Sequence, residues 1–131
     1  MREILFRGKR VDNGKWVEGA FLHLRVGRDY ICDGSVWIGT LQPYKEQVDT
    51  KTVGQYTGLL DKNGKKVFEG DIVKNEYRKG QYQYFKIVYD TRVYCWQVEN
   101  KYGMLGFLYN VIGDLEVIGN IYDNPELLEV K

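Results

Sequence analysis

Residues 54–74 read G-Q-Y-T-G-L-L-D-K-N-G-K-K-V-F-E-G-D-I-V-K, and the fold of the rest of the chain is read outward from this stretch. Asp61-Lys62-Asn63-Gly64 predicts a hairpin tip, because Asn and Gly tolerate the positive φ that a tight reversal demands. Val67, Phe68, Ile72 and Val73 flank Glu69-Gly70-Asp71, where a glycine inside a strand pattern predicts a bulge or a close approach of another backbone, with a bend in the strand. Asp71 is placed to accept backbone N–H bonds at that bend. Asn63, Gly64, Gly70 and Asp71 are thus the expected structural turn residues.

The 131 residues, 44% of them apolar, suit a single compact domain with a buried interior, divided into sub-lobes 1–53 and 54–131. Eleven Tyr, five Phe and three Trp beside fifteen Gly and only two Pro predict a mainly β chain. A formal charge of +1 gives no global attraction to nucleic acid or to an anionic membrane, so any such affinity must come from a local patch. Cys32 and Cys95 are far apart and only His23 could join them, which supports neither a zinc site nor a disulfide framework. Reduced thiols and a cytoplasmic setting in a bacterial host are expected. No window approaches the roughly 20 apolar residues that span a bilayer, and the start of the chain lacks the apolar core of a signal peptide.

Residues 2–7 read as a short strand, and Asp12-Asn13-Gly14-Lys15 turns it into a second over residues 16–22. Apolar triplets 30–32 and 36–38 around Asp33-Gly34-Ser35 predict a hairpin over residues 28–39, and residues 41–51 read as a connection. Beyond the central stretch, strands over 74–77, 82–89 and 93–98 form a meander with turns at 78–81 and 90–92. In the middle strand Tyr82, Tyr84, Lys86 and Val88 share one face while Gln83, Phe85, Ile87 and Tyr89 share the other. Residues 103–112 fit a strand or one to two helical turns equally well. A last strand over 115–122 places Leu115, Val117, Gly119 and Ile121 on one side. Asn124 as cap and Pro125 at the first helical position then predict a terminal helical turn through Leu128. The order suits a small antiparallel SH3-like barrel in residues 54–123, with residues 1–53 as an N-terminal antiparallel lobe.

The segments Q-Y-T-G-L, D-K-N-G-K, E-G-D-I-V and V-I-G-N-I-Y-D-N-P-E-L, with the opening R-E-I-L-F-R-G-K, resemble the YopX family of phage and prophage proteins. The resemblance touches both ends and the middle, leaving residues 20–50 and 75–110 without it. It implies an uncharacterised group with no assigned activity, catalytic residue or cofactor, so it transfers no functional residue.

The residues themselves offer several chemistries. Glu69 and Asp71 project from one strand face at a spacing that could share a divalent ion, although the turn role of Asp71 is the plainer reading. Glu129-Val130-Lys131 matches the end of a metal-dependent nuclease motif, with Asp114 or Asp71 as the upstream acid, but its lysine is the last residue in the sequence. His23 has no nucleophile motif around Ser35, Cys32 or Cys95 and reads as a strand-end histidine satisfied by backbone. The glycines spell no phosphate loop.

The mixture best suited to binding is the hairpin of residues 74–86. There Lys74, Arg78, Lys79 and Lys86 outnumber Glu76 and interleave with Tyr77, Tyr82, Tyr84 and Phe85. Single-stranded nucleic acid binders combine cations for phosphate with rings for bases in this way. Plugging of a barrel or a subunit interface explains the same tyrosines. The expectation is therefore a phage or prophage accessory protein without enzymatic activity or cofactor. It would act as a protein-binding or self-assembling β module, in a homo-oligomer or on another protein, with weak nucleic-acid binding as the alternative and a metal-dependent enzyme as the second.

Overall fold

The computed structural model describes residues 3–36, 43–77 and 83–129. They form a mainly β protein whose chain divides into two compact units, residues 1–56 and 57–131.

In the first unit β1 (Phe6–Lys9), β2 (Trp16–Arg25), β3 (Arg28–Val36) and β4 (Pro43–Val48) lie side by side in sequence order, all antiparallel. The start of β5 (Gly54–Leu60) pairs with the other side of β1 through Arg7 and Gly54. The Asn13-Gly14 turn between β1 and β2 forms as expected, with Gly14 at φ +71° and Asn13 Oδ1 accepting from the Lys15 N–H at 2.9 Å. The sheet curls until the end of β4 returns to β1. Val11 N donates to Gln47 O at 3.0 Å and Asp49 N to Lys9 O at 2.8 Å. The strands approach closely at Gly8, where a Cβ would stand 3.0 Å from Cβ of Val48. Inside the curl Phe21 packs on Phe6 at 5.4 Å between ring centres, and Ile31 and Val48 are buried.

Two expectations for this unit change. Asp33-Gly34 does not reverse the chain: β3 is paired on both sides up to Cys32 and resumes its pairing with β4 at Val36. The glycine, at φ +96°, is absorbed where the register with β4 shifts between Cys32 and Val36. The expected connection over 41–51 contains a strand, β4, followed by a 3-10 turn at Thr50–Thr52. Residues 37–42 lie outside the described residues, as does Arg2 of the expected first strand.

In the second unit β7 (Asp71–Asn75), β8 (Tyr84–Asp90), β9 (Cys95–Asn100), β10 (Gly103–Phe107) and β11 (Leu115–Asn120) form an antiparallel sheet of order β10-β9-β8-β7-β11. The Asp61–Lys65 turn leads from β5 into β6 (Lys66–Phe68), with Gly64 at φ +84° and Asp61 N donating to Lys65 O at 2.7 Å. Gly70, at φ +87°, makes a turn between β6 and β7 and not a bulge, and the other expectation for it, a close approach of backbone, holds: its N–H donates to Ile87 O and its carbonyl accepts from Ile121 N, both at 2.9 Å. Asp71 takes its expected part there, Oδ2 accepting the Phe68 N–H at 2.8 Å. The predicted alternation of β8 holds: Phe85 and Ile87 join Val67, Val73, Val98, Leu108, Leu115 and Val117 in the core, while Tyr84, Lys86 and Val88 face away, half-buried.

No closed barrel forms among the described residues, and the SH3-like expectation is corrected to an open sheet. A barrel needs its two outer strands to meet. Here the free edge of β11 is occupied by the Asp61 turn: Lys62 N donates to Leu115 O at 3.0 Å, and Asp61 Oδ2 accepts from Val117 N at 2.8 Å. Residues 103–112 use both readings in turn, β10 followed by the single-turn helix α1 (Leu108–Val111), which drives Leu108 into the core. The alternation predicted for 115–122 stops at Val117, where the register of β11 with β7 shifts. A terminal 3-10 turn, Pro125–Glu129, is present. Asn124 reaches back to it only through its carbonyl, to Leu127 N at 3.1 Å, while its side-chain oxygen accepts from Asn120 N at 3.2 Å.

Candidate functional site

Of the surface expected over residues 74–86, Lys74, Tyr77, Tyr84 and Lys86 fall within the described residues. Arg78, Lys79 and Tyr82 lie outside the described residues. Lys74 of β7 stands directly opposite Glu116 of β11 on one side and Tyr84 of β8 on the other, and Lys86 stands opposite Glu99 of β9. Each lysine therefore has a carboxylate as its cross-strand neighbour, which cancels much of its field. Tyr77 is 75% exposed, on the turn that follows β7.

A different surface gathers cations and apolar groups, and it is built on β2 and β3. Their register pairs Ala20 with Cys32, Phe21 with Ile31, Leu22 with Tyr30 and His23 with Asp29. Directly paired side chains share a face, so Phe21, His23, Asp29 and Ile31 point into the curl while Leu22 and Tyr30 point out. The register then slips by one before Arg25 meets Arg28, which leaves Leu24 as the extra residue of a bulge. Val26-Gly27 closes the hairpin, with Gly27 at φ +78°. Leu22, Leu24 and Val26 are 36%, 57% and 95% exposed.

The base of this hairpin is fixed by a buried carboxylate. Asp29 is fully buried; one oxygen accepts from the Thr50 hydroxyl and the other meets His23 Nδ1. The Thr50 hydroxyl first, and His23 second, hold the Asp29 carboxyl below its ordinary range against the opposing effect of burial. His23 is thus held by a side chain and not by backbone, a correction to the sequence reading. Gln47 of β4 adds a bond from its side-chain nitrogen to Gly27 O at 3.1 Å.

The tip carries an unbalanced charge. Asp29 is the sole acid between residues 20 and 32, and it is turned inward, whereas Arg25 and Arg28 are exposed. On the outer face the Lys45 ammonium sits 5.0 Å over the Tyr30 ring, and Arg7 and Lys9 lie 4.7 and 5.5 Å over Trp16. These rings already carry a cation of their own chain, which removes open stacking platforms from this face.

The sequence held a signal for this hairpin. Apolar and polar residues alternate without interruption from Leu22 to Val26, but the Val-Gly turn lacks the Asn or Asp that usually marks a two-residue reversal.

Other places are quieter. A cleft of about 410 Å³ between Lys9, Arg10 and Gly14 on one wall and Gly27, Gln47 and Thr50 on the other has its arginine engaged by Asp12 at 2.7 Å and Glu46 at 3.0 Å. Among the described residues no three His, Cys, Asp or Glu side chains group as metal ligands, and no helix is long and apolar enough to cross a membrane. Cys32 and Cys95 are free thiols.

These features define a class: a two-unit antiparallel β protein with a rigidly based, apolar-tipped hairpin. The model of the YopX protein family matches residues 5–129, and the chain belongs to that family. It is similar to the crystal structure of protein EF1440 from Enterococcus faecalis, at 27% identity over 98% of this chain and 99% of that one, with a TM-score of 0.60. No curated protein matches it.

Proposed function

We propose that this YopX protein is a phage or prophage accessory protein that works by binding protein through the β2–β3 hairpin and catalyses no reaction. The observation that carries this reading is the run of Leu22, Leu24 and Val26 at 36%, 57% and 95% exposure on a hairpin whose base is fixed by Asp29. Exposed apolar groups scattered singly are ordinary, but three on one hairpin flanked by two arginines have the composition of an interface centre. A fixed base means that little backbone order is lost on docking.

Capture from lysogenic cells tests it, comparing the natural protein with the Leu24→Ser/Val26→Ser variant. Both side chains are exposed, so the variant should melt within about 2 °C of the parent. A protein retained by the parent, lost with the variant and rebinding when purified is the expected result. Identical retention by the two proteins sinks the proposal.

Single-stranded nucleic acid is the second reading, supported by the two exposed arginines, Arg25 and Arg28, at the hairpin tip. With so few cations, retention on single-stranded DNA should be weak and should fall steeply between low and physiological salt. Nanomolar affinity at physiological salt would reverse the order of the two readings.

A further inference from the structure

We infer that the hairpin's partner is a second copy of this chain, docked through the acidic 3-10 turn Pro125–Glu129. The inference rests on the protein-binding reading and adds the identity of the occupant.

The first observation is charge. Residues 108–129 contain Asp114, Glu116, Asp123, Glu126 and Glu129 and no Lys, Arg or His, while the hairpin exposes two arginines and no acid. The chain as a whole is nearly neutral at +1, so the attraction lies between these regions and not between whole molecules.

The second observation is spacing. Arg25 and Arg28 are direct cross-strand partners, which puts their Cα atoms about 5 Å apart. Glu126 and Glu129 begin and end one turn of a 3-10 helix. With three residues per turn they lie on the same side, roughly 6 Å apart along the axis. Two guanidinium groups thus face two carboxylates at matching separation, the arrangement that allows paired Arg–Glu bridges.

The third observation is the apolar content between the charges. Leu24 and Val26 alternate with Arg25 on the hairpin, and half-buried Leu127 and Leu128 lie between the two glutamates on the turn. Each side offers apolar surface bracketed by like charge, and the charges are opposite. Because donor and acceptor patches differ, the contact is either exchanged twice in a two-fold dimer or repeated head to tail.

Light scattering on the purified protein over a range of concentrations tests this. The natural chain should form a discrete oligomer that weakens with added salt. Arg25→Glu/Arg28→Glu and, separately, Glu126→Arg/Glu129→Arg should each weaken self-association by roughly tenfold or more. All four positions are exposed, so neither variant should change the melting temperature materially. Two outcomes are specific to the proposed pairing. An equimolar mixture of the two variants should regain a mixed complex, because one contributes an intact turn and the other an intact hairpin. The chain carrying all four reversals should associate with itself again.

A monomer at every concentration, or an oligomer indifferent to both pairs of reversals, overturns the inference. A monomer whose hairpin still captures a foreign protein overturns this inference alone and leaves the protein-binding reading standing. An oligomer unaffected by Leu24→Ser/Val26→Ser as well, together with identical capture by the parent and that variant, removes both.

Discussion

Replacing Asp61 with alanine is expected to destabilise the protein by about 2–4 kcal/mol. For a chain of this size that lowers the melting temperature by roughly 8–15 °C. Asp61 is 6% exposed, and its two oxygens serve different parts of the second unit. Oδ1 accepts from the N–H groups of Asn63 at 2.8 Å and Lys65 at 2.9 Å, which sets the turn; Oδ2 accepts from the buried N–H of Val117 at 2.8 Å. The first two donors can turn to water in the variant. The third cannot, because Val117 is part of the core. An orphaned buried donor dominates the loss. Asp61→Asn keeps one carbonyl oxygen and should lose about half as much.

The effect has a direction in pH. Burial pushes the Asp61 carboxyl up, but the backbone donors at Val117, Lys65 and Asn63, with the Lys65 ammonium, outweigh it and hold the group below its ordinary range. A carboxyl depressed in the folded state contributes stability that is complete above its unfolded pKa of about 4 and fades as pH falls through the folded value. The gap in melting temperature between the natural protein and Asp61→Ala should therefore be constant from neutral pH down to about 5 and narrow on further acidification. A variant melting within about 2 °C of the parent at neutral pH would refute this role.

The same aspartate shows how far the sequence could be read. Asp61-Lys62-Asn63-Gly64 announces a turn because its chemistry is local: Asn and Gly for the positive φ, Asp for the neighbouring N–H groups. Nothing local says that the second carboxylate oxygen reaches Val117, fifty-six residues on. That long-range bond blocks the edge of β11, and with the edge occupied the expected barrel becomes an open sheet. Asp33-Gly34 fails in the opposite way. It has the composition of a turn, yet β3 is paired with β4 on both sides of it, at Cys32 and at Val36, and the glycine falls in the register shift between them.

The candidate site follows the same division. The basic and aromatic residues at 74–86 are plain in the sequence, but only strand register reveals that Glu116 and Glu99 stand opposite Lys74 and Lys86. The hairpin at Val26-Gly27 is legible only as an alternation that continues past Leu22, since its turn has no polar marker. Family membership was legible at both ends and in the middle of the chain, because the glycine-bearing motifs that carry it mark backbone geometry and not chemistry.

Gly19→Ala should be the most damaging single methyl group in the first unit, costing about 3 kcal/mol or more. Gly19 lies in β2 just before the hairpin strands pair, where a Cβ would fall within the van der Waals radius of the Cys32 carbonyl oxygen. The carbonyl carbon would be 2.7 Å away and the Asp33 Cα 3.0 Å. All three obstacles are backbone atoms, so no rotamer change relieves them. β3 cannot step aside either, because Cys32 is paired with Lys45 of β4 on its other side, and β4 is in turn tied to β1 through Val11 and Asp49. The close approach is the counterpart of the bulge at Asp33-Gly34, which presses β3 toward β2 at the one position lacking a side chain. Gly113→Ala provides the control, since an added Cβ there meets nothing within 4 Å and the backbone needs no positive φ. It should change stability by less than about 0.5 kcal/mol. Hydrogen exchange distinguishes the two: Gly19→Ala should deprotect the amides of β2 and β3, and with them the presentation of Leu24 and Val26, while Gly113→Ala leaves exchange as it is. Unchanged protection of β2 and β3 in Gly19→Ala would mean that the strands are not held as tightly as the pairing on both sides of β3 requires.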